Sequence, residues 1–98
     1  MSDIAHDDPV QGPVIMTFDG RVLELFTERL ASTTRMITGM LHVEVGEPNR
    51  KGVREVAFSC ASGWRSGGGC RLWVQEDRWP AVEPFVREVA AAAEAGAR

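Results

Sequence analysis

Only one lysine, Lys51, occurs in the chain, and the arginines are scattered rather than clustered. Residues 1–12 hold Asp3, Asp7 and Asp8 with no base, which leaves residues 13–98 with eleven acids against eleven bases. A neutral domain of this kind lacks the concentrated positive surface that draws a protein onto a phosphate backbone, so no nucleic-acid partner is expected. No apolar run is long enough to span a bilayer. The opening MSDIAHDD is acidic where a secretory leader would be basic and then apolar, and the expectation is a cytoplasmic protein. Cysteine is also scarce. Cys60 and Cys70, with one histidine (His42) on a different segment, do not supply the four ligands, or three plus an open position, that a zinc site needs.

The groupings that carry catalysis are missing as well. No Ser-His-Asp arrangement stands out, and GWRSGGG lacks the Gly-Lys-Ser/Thr that gives a phosphate loop its chemistry. Asp7-Asp8 and Glu76-Asp77 are sequence neighbours, a pattern that normally marks solvated surface charge. These absences point to a non-catalytic protein that needs neither metal nor cofactor.

The chain does contain the pattern of a single small domain. Its 98 residues are 44% hydrophobic and 26% charged, ordinary values for a globular chain near the lower size limit for an unaided core. Residues 1–12 have few large apolar side chains and read as a disordered acidic tail with a solvated His6. The domain is expected over residues 13–98. Residues 14–18 and 21–26 flank Asp19-Gly20, a strong hairpin signal. A two-residue turn there would pair Met16 with Leu23 and Val14 with Leu25. Residues 31–37 (ASTTRMI) read as a third strand. Residues 40–45 alternate Leu41, Val43 and Val45, assigned to the core, against His42 and Glu44, assigned to solvent.

Residues 53–60 (VREVAFSC) and 70–75 (CRLWVQ) complete the strands. Pairing Cys60 with Cys70, Phe58 with Leu72 and Val56 with Val74 places all six on one apolar face, so CASGWRSGGGC forms the crown of a hairpin. From about residue 79 to residue 95, Val82, Phe85, Val86, Val89, Ala90 and Ala93 keep helical spacing. Asp77 is a candidate cap, and Pro80 and Pro84 fall near the first turns.

An α+β fold therefore follows, with six or seven antiparallel strands in a bent sheet or barrel closed by one C-terminal helix. Beyond this layout, FDG at 18–20, STTRMITGMLHVEV at 32–45 and WPAVEPF at 79–85 resemble small bacterial pleckstrin-homology-like (PH-like) domains of unknown function. The resemblance covers roughly residues 14–95. It implies a binding module, since members of that superfamily bind lipids, peptides or proteins. Lipid-binding members carry several basic residues in the first hairpin loop, where this chain has only Asp19-Gly20. A protein or peptide ligand is therefore the first expectation, and a peripheral adaptor recognising anionic lipid the second.

Trp64 and Arg65, on a glycine-flanked tip, are candidate contact residues, because aromatics and arginine dominate binding hot spots. The alternative is that Trp64 folds back over the sheet. Arg35, His42 and Trp73 fall on or near the outer sheet face and could line a groove, or the N-terminal tail could cover Trp73. Arg50 and Lys51 could touch an anionic group or simply cap a solvated turn. Cys60 and Cys70 are left as buried thiols, a cross-strand disulfide or, least of all, a redox switch.

Overall fold

The computed structural model describes residues 2–29, 31–37, 41–60 and 69–96. Seven strands run in chain order: β1 (Ser2–Asp8), β2 (Gly12–Phe18), β3 (Val22–Thr27), β4 (Ser32–Ile37), β5 (Leu41–Val45), β6 (Val53–Cys60) and β7 (Gly69–Gln75). The helix α1 (Trp79–Gly96) follows. The strands form two antiparallel sheets, β1-β2-β3-β4 and β5-β6-β7, with no ladder joining them among the described residues. The α+β class and the closing helix match expectation. A closed barrel is not what forms, because the two sheets meet through side chains.

The core follows directly from period-2 and period-3.6 patterning. Val14, Met16 and Phe18 of β2, Leu23 and Leu25 of β3, and Met36 of β4 are buried on one face of the first sheet. Leu41, Val56, Phe58, Leu72 and Val74 are buried on the facing side of the second. Val82, Phe85, Val86, Val89 and Ala93 bury the predicted helix stripe, and α1 packs against β5, β1 and β7. The helix is entered through a turn in which the Arg78 carbonyl accepts from Ala81 and Val82 N–H. Asp77, the candidate cap, lies in that turn one residue earlier. No helix of the described residues is long and apolar enough to cross a membrane.

Both hairpins keep their predicted faces but shift their pairing by two residues. Met16 lies opposite Leu25, and Phe18 opposite Leu23. The cause is local chemistry. The Asp19 carboxylate accepts the N–H groups of Arg21 at 2.9 Å and Val22 at 2.8 Å, so the side chain itself shapes a wider turn, with Gly20 at a φ of 96°. In the second hairpin Phe58 lies opposite Cys70, and Val56 opposite Leu72. A shift of two leaves every side chain on its original face, whereas a shift of one would not.

Cys70, expected opposite Cys60, lies opposite Phe58, and Cys60 pairs with Leu41 of β5 on its other side.

The largest departure is at the start of the chain. Residues 2–8, expected in a disordered tail, form β1 and pair with β2 from Ser2↔Phe18 to Asp8↔Gly12. Composition alone hides this strand, because its inward positions are Ser2, Ile4, His6 and Asp8, three of them polar. Val45, assigned to the core, stays 44% exposed at the end of β5.

Phe58→Ala should lower unfolding stability by about 3–5 kcal/mol, the range for a truncated core aromatic. Ala57→Ser, on the other face, should cost little in the same urea titration. A second expectation concerns acid. Hydrogen bonds from the Val22 and then the Arg21 backbone hold the Asp19 carboxyl below its usual value of 3.8. A lowered folded-state pKa adds stability above the unfolded value and loses it as pH falls through the folded one. The advantage of wild type over Asp19→Ala should therefore shrink on acidifying below that value, as read by melts across pH.

Candidate functional site

One edge of the structure is held by side chains in place of a backbone ladder. His6, Asp8 and Gln11 reach from β1 and its turn to the exposed backbone of β7. The Trp73 N–H donates to Asp8 Oδ2 at 2.8 Å. His6 Nε2 lies 2.9 Å from the Trp73 carbonyl oxygen; a carbonyl only accepts, so Nε2 carries the proton. Gln11 Nε2 donates to the Arg71 carbonyl at 2.8 Å and to Asp8 Oδ2 at 3.0 Å. Asp8 Oδ1 accepts from Val10 and Gln11 N–H at 2.8 and 3.1 Å.

Asp8 is 3% exposed and His6 7% exposed. A buried carboxylate is tolerated because four donors surround it. His6 is therefore a packed, hydrogen-bonded residue, not the solvated one expected.

Beside this clip lies a cleft of about 580 Å³. Leu25 and Phe58 supply a buried apolar part, Thr27 and Thr34 come from β3 and β4, and Trp73 and Arg71 come from β7. Glu44, Ser59 and Cys70 also border it. Its volume lies within the usual range for ligand sites, and it combines apolar surface with a few polar groups. The cation on its rim is already matched: Arg71 pairs with Glu55 at 3.2 Å, and Glu44 adds a second carboxylate nearby.

A smaller groove of about 260 Å³ runs beside α1, between Val45, Trp79, Val86 and Ala90. Arg54 crosses it, stacked 4.8 Å from the Trp79 ring centroid. Its guanidinium also donates to the Glu76 carboxylate and the Gly46 carbonyl. This arrangement locks the start of the helix onto β6.

The expected site residues separate in space. Trp73 and Cys70 both border the cleft. Trp73 thus lines a groove, as one of its two readings has it, while the N-terminal segment meets its backbone through hydrogen bonds with the His6 and Asp8 side chains. Arg35 is exposed on β4 and pairs with Glu24 at 3.4 Å. His42 is exposed on β5, opposite Ser59. Arg50 and Lys51 are exposed in a turn built by others: Asn49 Oδ1 accepts from Lys51 and Val53 N–H, and Gly52 has a φ of 74°. Trp64 and Arg65 lie outside the described residues.

Sequence reasoning missed His6, Asp8, Gln11 and Arg71. The only available signal was the alternation of Ile4, His6 and Asp8, which polarity disguised. Among the described residues no three of His, Cys, Asp and Glu are grouped to hold a metal ion.

Asp8→Ala should destabilise the fold by about 2–3 kcal/mol, since buried donors lose a charged acceptor. Hydrogen exchange at the Trp73 amide should accelerate more than at Val56, in the interior of the second sheet. Equal acceleration at both sites would mean that the clip has no local role.

No protein-family model matches the chain, and no curated protein matches its sequence, so the reading of the site rests on its geometry.

Proposed function

We propose that the protein is a non-catalytic PH-like binding module whose ligand is a protein or peptide segment received in the cleft beside Trp73. The order of four strands, then three, then a closing helix supports the PH-like reading. The single observation that carries the binding reading is the cleft itself. It joins a buried apolar part to a half-buried tryptophan and to charges of both signs. Aromatic and arginine side chains around a partly desolvated pocket are the usual ingredients of a peptide hot spot.

Charge favours a peptide over a lipid headgroup. An anionic headgroup is captured by several uncompensated cations, each contributing about 1 kcal/mol near a membrane surface. Arg71 already faces Glu55, and Glu44 adds a negative charge to the same rim. A peptide of mixed charge fits this rim better than a polyanion. The same reading takes the working compartment to be the cytoplasm.

The test is backbone NMR shift mapping against a random peptide library and, separately, against phosphatidylserine vesicles. Shifts at Thr27, Thr34, Ser59 and Arg71 with peptides, lost in Arg71→Glu, are expected. Shifts confined to the vesicle titration would transfer the assignment to an anionic-lipid adaptor.

A further inference from the structure

The outer face of the β1–β4 sheet carries large apolar side chains that stay partly exposed, with Arg78 reaching only the Ala5–Ile15 end. Cross-strand register aligns Ala5, Ile15, Phe26 and Thr33 in one row across all four strands. Ile15 is 50% exposed and Phe26 39% exposed. The neighbouring row reads Asp3, Thr17, Glu24 and Arg35. Its two ends carry opposite charge, with Asp3 exposed on one edge strand and Arg35 exposed on the other.

We infer that this face is a dimer interface between two copies of the chain, stacked sheet on sheet about a two-fold axis running along the strands. Such an axis keeps each row opposite the same row and exchanges β1 with β4 and β2 with β3. Ile15 then meets the partner's Phe26, and Phe26 the partner's Ile15. Asp3 meets the partner's Arg35, and Arg35 the partner's Asp3. The face is complementary to itself in its apolar row and at the two ends of the charged row, where Arg35 also keeps its own Glu24 at 3.4 Å and Glu24 meets the partner's Thr17.

The other in-plane two-fold, across the strands through the apolar row, lays β1 on β1. It sets Asp3 against the partner's Asp7, a like-charge contact that disfavours it. Charge order along the row therefore selects both the occupant and its orientation.

Size sets the expected strength. Four strands about 4.8 Å apart and six or seven residues long make a face of roughly 19 by 21 Å. That is small beside the roughly 800 Å² per partner of a standard stable interface, so dissociation in the micromolar range or weaker is expected.

Sedimentation equilibrium on wild type, Asp3→Lys, Arg35→Glu and an equimolar mixture of the two variants tests the inference. Wild type should self-associate, and each variant alone should dimerise about tenfold or more weakly, because two attractive pairs become repulsive. The mixture should recover association. In the mixed dimer the introduced lysine faces the introduced glutamate, and the native Arg35 of one copy faces the native Asp3 of the other. Both positions are exposed, and unchanged thermal melts would confirm intact folds. Phe26→Lys should abolish association without lowering the melting temperature. A wild-type protein that stays monomeric at millimolar concentration overturns the inference and leaves the face to a different occupant. Failure of the mixture to recover association overturns it too. Neither result bears on the cleft beside Trp73.

Discussion

Two sheets that share no ladder among the described residues are fixed in relation to each other by side chains, and at the β1–β7 edge one carboxylate organises the joint. Asp8 gathers the N–H groups of its own turn, the Gln11 amide and the N–H of Trp73 on the facing sheet. His6 takes up the Trp73 carbonyl. Together these side chains act as a surrogate strand for β7, whose edge would otherwise present open backbone groups. The arrangement links an acidic N-terminal segment to the position of the tryptophan that borders the cleft.

At the opposite side of the core the coupling is aromatic and cationic. Arg54 lies over Trp79, bonded at once to Glu76 and to the Gly46 carbonyl. The side chain belongs to the inward face of β6, yet its charge is kept near the surface by two partners. The helix begins at that contact, and its stripe from Val82 to Ala93 fills the space between the sheets. Edge clip, helix plug and buried faces thus divide the closure of a small core. Such a core would be marginal if any one of them stood alone.

The binding reading and the dimer reading use different surfaces. The cleft lies beside the clip at the ends of β3, β6 and β7, whereas the apolar row lies on the outward face of the first sheet. A dimer formed through that row leaves the cleft-bordering face of the second sheet open. A two-fold assembly would then present two equivalent clefts, and a partner with repeated segments would gain by avidity from the fixed spacing.

The inward and outward faces are written in the residue pattern. Leu, Val, Phe and Met recur at period two in the strands and near 3.6 in the helix, so which residues turn inward was legible from Val14 to Ala93, Val45 at the end of β5 excepted. Faces survive a two-residue slip, and for that reason core membership could be read while pairing could not. The partners of Phe18, Phe58 and Cys70 depended on how each turn closes, and in the first hairpin the Asp19 side chain decided it. That residues 2–8 form a strand depends on contacts made only in the folded chain. Its inward His6 and Asp8 look like solvent-facing residues until β7 supplies the backbone groups that satisfy them. The cleft was hidden for the same reason. Its residues come from β3, β4, β5, β6, β7 and the β1–β2 turn, and neighbours that far apart in sequence are brought together only by how the two sheets cross.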